Sequence, residues 1–305
     1  MRAPKAIRRG LVRWGAGAAV LVLALPGLVA GQTQLSRLLR FAAVVDAPVE
    51  SSLRWPVDVA AGPLDEVAVA DAWRNRLLVF RRIGAGWSTA HEVVLPAPPA
   101  AVAYAGGRYL VALRGRSRLT AVTPGATSAT TQEIALPDGL LPGRLAASGA
   151  ELLLWDSRLG RVVRLREGAI VAQVAIDRTV TALADDGSGG FWVGIGETGE
   201  LRRHDASGRL LVTWRMPAEG EVPAWPAGIA SEPSGRLFVL DRHTHRVVVL
   251  DPGGRAIGVG SGKGSEPGQL RYPSGMARLP GGGLLIGDGG NSRAQLFDVL
   301  AAGAG

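Results

Sequence analysis

Cysteine is absent from the 305 residues of this chain, and histidine occurs only four times. The lack of cysteine excludes disulfide bonds, thiolate metal sites, cysteine nucleophiles and dithiol redox chemistry. A chain of this length can bury an adequate core without disulfides. Aromatic residues make up only 5% of the chain, whereas glycine occurs 43 times and proline 19 times. This composition is typical of many short strands joined by turns.

The scarcity of histidine and asparagine also gives little support for a metal centre. His243 and His245 share one loop, while His204 and His91 fall in other parts of their repeats. Three histidines from different repeats, as a catalytic zinc site would need, are therefore not expected to converge. The chain also lacks a G-x-S-x-G nucleophile elbow. We expect no catalytic residues, no metal ion and no other cofactor.

Only two lysines are present, so arginine supplies nearly all of the positive charge. Residues 1–31 carry five positive and no negative side chains, so the formal net charge of +8 falls to +3 without them. That small excess does not predict the clustered basic surface of a nucleic-acid-binding protein. We expect no nucleic-acid partner.

The first 31 residues are predicted to be an export signal. A basic segment ends at Arg13, an apolar stretch runs from Gly15 to Val29, and the small residues Ala30 and Gly31 follow. This order is typical of a secretory signal peptide, and the stretch is short for a membrane span. We expect a periplasmic or extracellular protein. An uncleaved segment 1–31 acting as a membrane anchor stays open as an alternative.

The remaining chain repeats one unit six times. The first position of the unit is proline in five of the six copies. A second position, which we call the slot, follows 14 or 15 residues later and is aspartate in four copies. A third position lies five residues beyond the slot and is arginine in five copies. The units begin at Pro56, Pro99, Pro142, Val180, Pro226 and Pro273. Repeats of 38 to 47 residues indicate stacked units, because one unit cannot bury its own apolar faces.

Within one unit the pattern predicts four short antiparallel strands. In the fifth unit, we predict strands over 227–230, 237–240, 246–250 and 255–260, separated by glycine- and proline-containing turns. Six such units indicate an all-β, six-bladed β-propeller spanning residues 32–300, with 301–305 as a tail. The last unit lacks a fourth strand, and we expect the strand-like segment 40–47 to pair with it and close the ring.

Parts of the sequence resemble NHL repeats. Residues 260–275 are similar to the lead-in of such a repeat, and 285–298 are similar to its body. Residues 67–80 and 238–251 have the same character, and the resemblance extends over roughly residues 40–300. It implies a six-bladed propeller of an exported bacterial type. The family includes binding scaffolds and a few enzymes, so the resemblance leaves function open.

The repeat also predicts which residues share a face. The residues just before each first strand and the loop after each slot residue lie at one end of the propeller, which we call the top face. Aromatic and arginine side chains gathered on one face are typical of binding surfaces. Trp55, Trp225 and Tyr272 either bind there or cap the wedges between blades. The other candidates are Trp73, Arg74, Trp155, Arg158, Arg242 and His243.

Four aspartate–arginine pairs recur at the same spacing, and we interpret them as structural ties with two hydrogen bonds that order a four-residue loop. Asp58 and Arg144 occupy the same first-strand position in two units, close to the propeller axis. They either pair across the mouth of the channel or meet a ligand. The four structural ties are Asp71 with Arg76, Asp156 with Arg161, Asp241 with Arg246, and Asp288 with Arg293.

Taken together, the sequence predicts an exported monomeric propeller that binds a protein, peptide or cell-envelope ligand through its top face without catalysis. The alternative is a metal-dependent hydrolase or lyase of the lactonase-like group, with its site at the channel mouth. A cluster of three oxygen or nitrogen ligands from different blades would distinguish the alternative.

Overall fold

The computed structural model describes residues 38–63 and 65–300. The signal peptide predicted for residues 1–31 and the tail predicted for 301–305 lie outside the described residues. Within them, six four-stranded antiparallel sheets form the blades of a β-propeller. The predicted fold is confirmed.

In blades 1 to 5 the strands follow the chain from the axis outward, and each outer strand leads to the inner strand of the next blade. Blade 1 contains β2 (Pro56–Ala61), β3 (Glu66–Asp71), β4 (Arg76–Ile83) and β5 (Gly86–Val94). Blade 2 contains β6 (Pro99–Ala105), β7 (Arg108–Leu113), β8 (Arg118–Thr123) and β9 (Thr130–Ala135). Blade 3 contains β10 (Pro142–Ser148), β11 (Glu151–Asp156), β12 (Arg161–Arg166) and β13 (Ala169–Ala175). Blade 4 contains β14 (Val180–Asp185), β15 (Phe191–Ile195), β16 (Glu200–His204) and β17 (Leu210–Arg215). Blade 5 contains β18 (Pro226–Ser231), β19 (Leu237–Asp241), β20 (Arg246–Leu250) and β21 (Ala256–Gly260).

Blade 6 is built from both ends of the described chain. It contains β22 (Gly275–Arg278), β23 (Leu284–Asp288), β24 (Arg293–Val299) and, as its outer strand, β1 (Leu39–Val45). β1 pairs antiparallel with β24, with Leu39 opposite Val299, at the place expected for segment 40–47. The pairing leaves no unpaired edge on β24, which is how closed rings avoid edge-to-edge association. Among the described residues, three short 3-10 helices lie between strands, at Val49–Ser51, Pro137–Gly139 and Gly289–Asn291.

The hydrophobic core lies between blades. In the described ranges, each of the six blade-to-blade interfaces has its own cluster of buried aliphatic and aromatic side chains. For example, Leu285 of blade 6 packs with Val59 and Leu78 of blade 1. Blade 6 is also joined to blade 1 by Ser274, whose Oγ donates to the carbonyl oxygen of Pro56 at 2.6 Å. Stability is therefore shared around the ring.

Small residues at the axis allow the inner strands to approach closely. An added Cβ at Gly275 would lie 2.3 Å from Oδ1 of Asp58 and 2.9 Å from its Cα. Likewise, a Cβ at Gly228 would lie 2.8 Å from the backbone nitrogen of Met276. Real Cβ atoms do not approach other atoms this closely, so glycine is required at these two positions near the axis.

Candidate functional site

The slot aspartates join each top-face loop to the segment that leads into the same blade. One carboxylate oxygen accepts a backbone N–H from that segment: Trp55 N donates to Asp71 at 2.9 Å, and Trp225 N donates to Asp241 at 2.9 Å. Equivalent bonds reach Asp156 from Leu141 and Asp288 from Arg271. These aspartates are buried, so the bonds satisfy charges that would otherwise be costly to desolvate.

The aspartate–arginine contacts differ from the expected pairs with two parallel hydrogen bonds. Arg76, Arg161 and Arg293 each donate Nε to one oxygen of their aspartate, at 3.0 to 3.1 Å. The other aspartate oxygen accepts the backbone N–H described above rather than a second guanidinium N–H. In blade 5, Arg246 Nε stays 3.9 Å from Asp241, and the Thr244 hydroxyl donates there at 2.5 Å.

Three aromatic side chains are exposed on the top face. Trp73 in the loop of blade 1 is 78% exposed, Trp55 is 40% exposed and Tyr272 is 45% exposed. Trp225 is partly buried and packs against His243 with ring centroids 5.2 Å apart. His243 is held by a 3.0 Å contact between Nδ1 and the carbonyl oxygen of Pro223. Trp55, Trp73 and Tyr272 are therefore the aromatic groups available to a partner.

Tyr272 is held in place by a buried histidine. Its backbone has φ of 44°, a left-handed conformation that is uncommon outside glycine. The Tyr272 N–H donates to Nδ1 of His245 at 3.0 Å, which places the His245 proton on Nε2. Burial lowers the pKa of His245, which favours this neutral form. Arg242 lies 5.9 Å from the centre of the Tyr272 ring, within cation–π range.

Trp155 departs from the expectation for a surface residue. Its side chain is only 5% exposed and packs in the core between blades 3 and 4. Trp155 is the penultimate residue of β11 rather than part of the loop, and glycines make room for it. A Cβ at Gly143 would lie 3.0 Å from its Cδ1, and one at Gly160 would lie 3.9 Å from its Cη2. Trp155 is therefore a core residue that does not contribute to the top surface.

The arginines that form no ion pair are concentrated on the top face. Most arginines of the described ranges contact a carboxylate, including Arg76, Arg161 and Arg293. Ten arginines of the described ranges form no ion pair, and of these only Arg108 and Arg278 lie at the bottom ends of their strands. The eight at the top are Arg54, Arg74, Arg114, Arg116, Arg144, Arg158, Arg242 and Arg271.

Several of these arginines are oriented by backbone carbonyls. Arg74 Nη1 donates to Glu50 O at 3.2 Å, and Arg158 Nη1 donates to Gly139 O at 3.4 Å. Arg242 Nη1 donates to the carbonyl oxygens of Tyr272 and Pro273 at 3.3 and 3.2 Å. A carbonyl partner positions a guanidinium without neutralising its charge. The remaining N–H groups stay available for an acidic ligand.

Sequence reasoning missed Arg114 and Arg116, because the slot of blade 2 holds Leu113 instead of aspartate. Alignment of the repeats contains the missing signal: Arg114 follows its slot as Arg242 follows Asp241.

Acidic residues also occur at the top. Several pair with arginines there, such as Glu92 with Arg76 and Glu197 with Arg178. Among the described residues, the acidic residues at the top that lie outside the channel and form no ion pair are in the connections between blades, and they are Asp46, Glu50, Asp138, Glu221 and Glu266.

The inner strands enclose a channel of about 250 Å³ along the propeller axis. In blades 1 to 5, the pairing register shifts at the start of the inner strand. In blade 1 the shift falls between Pro56 and Asp58, and in blade 3 it falls between Pro142 and Arg144. Such irregularities redirect side chains. Asp58 and Arg144 both line the channel at its top end.

Asp58 and Arg144 do not form the ion pair that was one of the two expectations for them. Asp58 instead accepts the backbone N–H groups of Val59 at 3.0 Å and Val102 at 2.9 Å. Arg144 crosses to the neighbouring blades, donating Nε to Thr181 O at 2.7 Å and Nη1 to Ala100 O at 3.3 Å. Each charged group is thus fixed by backbone atoms, and neither neutralises the other through direct contact.

Burial controls the electrostatics of this mouth. It raises the pKa of Asp58 to about 6, although the Arg144 charge and the N–H groups of Val102 and Val59 act to lower it. Burial also lowers the pKa of Arg144. The negative charge of Asp58 acts to raise this pKa, and the positive charge of Arg114 acts to lower it further. The pKa of Arg242 is lowered by burial and then by the charge of Arg144. Arg144 therefore lies within electrostatic reach of both other arginines.

The described residues contain one further large cavity and no group of metal-binding side chains. A second cavity of about 430 Å³ lies between blades 2 and 3 and is lined by Leu110, Leu119 and Leu152. Within 38–63 and 65–300, no three His, Asp or Glu side chains are grouped to hold a metal ion. Over the same ranges, no helix is long and apolar enough to cross a membrane.

Comparison with known families identifies NHL repeats in this chain. The NHL repeat model matches residues 53–80 and 224–250, which fall in blades 1 and 5. These are two of the blades in which the repeat pattern is strongest in sequence. No curated protein matches this chain in sequence.

Solved structures with the same fold have diverse descriptions. A streptogramin B lyase is 11% identical, with 87% of this chain and 99% of that chain covered and a TM-score of 0.61. The WD40 propeller domain of Doa1 is 13% identical, with 85% and 96% covered and a TM-score of 0.60. A protein of unknown function from Bacteroides thetaiotaomicron is 12% identical, with 85% and 75% covered and a TM-score of 0.65. These likenesses establish the propeller fold alone.

Proposed function

We propose that this chain is an exported, non-enzymatic binding propeller that engages an acidic segment of a protein partner through its top face. The observation that supports this function is the distribution of arginines without ion pairs, eight of which lie at the top together with the exposed Trp55, Trp73 and Tyr272. Export through residues 1–31 to the periplasm or the cell exterior is part of the same proposal.

The physical argument is charge complementarity combined with aromatic anchoring. Guanidinium groups without carboxylate partners gain most from an acidic ligand, because no internal ion pair must first be broken. An exposed tryptophan supplies a large contact area with little conformational entropy to lose. Trp73 combines high exposure with neighbouring positive charge from Arg74, so we expect it to be an anchor of the interface.

Site-specific photo-crosslinking in the producing host tests the face assignment. A photoreactive amino acid at Trp73 should form a discrete adduct with a protein partner. The matched control is Ile83, which is also exposed in blade 1 but lies at the bottom end of β4. Adducts from Trp73 alone support the proposal. Equal adducts from both positions, or adducts from Ile83 alone, contradict it.

Native mass spectrometry of the gently purified protein tests the export and binding parts separately. We expect a mature chain beginning near Gln32 together with a stoichiometric acidic protein. A mature chain that instead carries one divalent ion, removable by a chelator, would favour the lactonase-like hydrolase or lyase and would contradict the binding proposal.

A further inference from the structure

The channel combines a charged top mouth with an apolar wall. Below Asp58 and Arg144, the lining includes Val102, Leu145, Ile229 and Met276, with alanines between them, and charged side chains return only at the bottom end, at Asp185 and Arg278. The volume of about 250 Å³ is small for a binding pocket, so it suits a compact ligand rather than a polymer. An apolar wall of this kind favours an aliphatic group over a second charge.

Arg144 lines the top end of this channel, and Arg114 and Arg242, on top-face loops, lie close enough for their charges to act on the Arg144 neighbourhood. Arg144 uses Nε and Nη1 on backbone carbonyls, and its Nη2 has no acceptor among the described residues. Arg242 uses only Nη1, and Arg114 has no side-chain hydrogen bond within the described part of the chain. Each of the three arginines therefore keeps at least one N–H group that an oxyanion can accept.

These arginines lack a nearby charge that neutralises all three. Asp58 is the one carboxyl group that lines the described channel at this end, and both of its oxygens accept backbone N–H groups. The repulsion that Arg144 experiences from Arg114, and that Arg242 experiences from Arg144, is relieved when an anion enters. The mouth is thus electrostatically matched to a single anionic group.

We propose that the top mouth of the channel binds a small aliphatic carboxylate, with the carboxylate between Arg114, Arg144 and Arg242 and the aliphatic group in the channel. The planar guanidinium group of arginine matches the planar geometry of a carboxylate, and the apolar side chains below it can contact an aliphatic group. This site goes beyond the proposed function, because capture of a protein by the outer loops does not require the channel. The same chemistry is offered by a free acid or by the C-terminus of a protein whose last residue is aliphatic.

Methionine methyl NMR provides a direct test. The chain has only three methionines, and Met276 lines the channel while Met216 is buried between blades 4 and 5. In the protein labelled at the methionine methyl groups, hexanoate should shift the Met276 signal in a saturable manner and leave the Met216 signal unchanged. Hexylammonium, which has the opposite charge, should not bind. Succinate should bind at least tenfold more weakly, because its second carboxylate meets the apolar wall.

Variants assign the binding to the arginines. Arg114→Gln and Arg242→Gln should each weaken hexanoate binding about tenfold, since each removes a charge-assisted hydrogen bond. Arg255→Gln at the exposed bottom edge makes the same charge change and should leave binding within twofold. Equal weakening in all three variants, or a Met276 shift that survives in both mouth variants, would overturn the site.

A peptide with an aliphatic C-terminal residue, with a free or an amidated end, distinguishes the two ligand sources. Binding by hexanoate supports a free acid, whereas binding by the free-ended peptide alone supports a protein C-terminus. Absence of saturable shifts from both probes overturns the proposal. If both hexanoate and the free-ended peptide fail while Trp73 still crosslinks a protein partner, the proposed function stands and only the channel site is lost.

Discussion

Replacement of Arg76 should destabilise the protein far more than replacement of Arg246, although both occupy the same position of the repeat. Arg76 is 1% exposed and donates to Asp71, Glu92, the Ser51 hydroxyl and the carbonyl oxygens of Ser51 and Ser52. Arg76→Met would preserve much of the side-chain length but remove every one of these donors.

The magnitude follows from what each substitution leaves behind. Arg76→Met leaves the buried Asp71 carboxylate without its cation, a change that typically costs about 3–5 kcal/mol. Arg246 differs because its Nε is buried without an acceptor, and Asp241 is already satisfied by Trp225 N, His243 N and the Thr244 hydroxyl. Its contacts with Glu219 and Pro217 are at the surface, so Arg246→Met should cost about 1 kcal/mol.

Thermal and urea unfolding, followed by circular dichroism and tryptophan fluorescence, measure this difference. For a domain of this size, about 3–5 kcal/mol corresponds to a Tm decrease of roughly 6–20 °C, and Arg246→Met should lower Tm by roughly 2–4 °C. Equal decreases, or a larger decrease for Arg246→Met, would refute the reasoning that the environment of each tie determines its energetic contribution.

Two further predictions concern the axis. The pKa of Asp58 in the folded protein, about 6, exceeds its ordinary value of 3.8, so the folded state binds the extra proton and stability rises as pH falls through 6 toward 4. Relative to Asp58→Asn, the protein should gain about 2 kcal/mol of unfolding free energy between pH 8 and pH 4, and a flat difference in urea titrations would contradict this. Gly275→Ala should cost about 1–3 kcal/mol because its Cβ meets the Asp58 backbone, whereas Gly262→Ala, with open space around it, should cost almost nothing. Equal midpoints for the two glycine variants would show that the axis is less tightly packed than described.

The fold was largely predictable from the sequence because the repeat fixes the same local pattern six times. In blade 5, the predicted strands 237–240 and 246–250 correspond to Leu237–Asp241 and Arg246–Leu250. The pairing of β1 with β24 also follows from simple strand counting, since the last unit has only three strands of its own.

The candidate site was predictable only in part, because side-chain direction depends on local backbone detail. Trp155 precedes its slot residue, and sequence proximity suggested a loop position. The equivalent residues of the other blades, such as Ala70 and Leu240, are also buried, so comparison across repeats would have corrected the placement. Which arginines lack ion pairs depends on three-dimensional contacts, and the sequence contains no direct signal for it.

Binding of an acidic peptide provides the most direct test of the claim that the top face recognises negative charge. Oligoglutamate binding is measured by calorimetry for the protein, for a top variant and for a bottom variant with the same change in net charge. The top variant replaces the exposed, unpaired Arg54, Arg116 and Arg271 with glutamine, and the bottom variant replaces Arg82, Arg209 and Arg255. We predict at least tenfold weaker binding for the top variant and less than a twofold change for the bottom variant. Equal losses in both variants, or a larger loss for the bottom variant, would contradict the account.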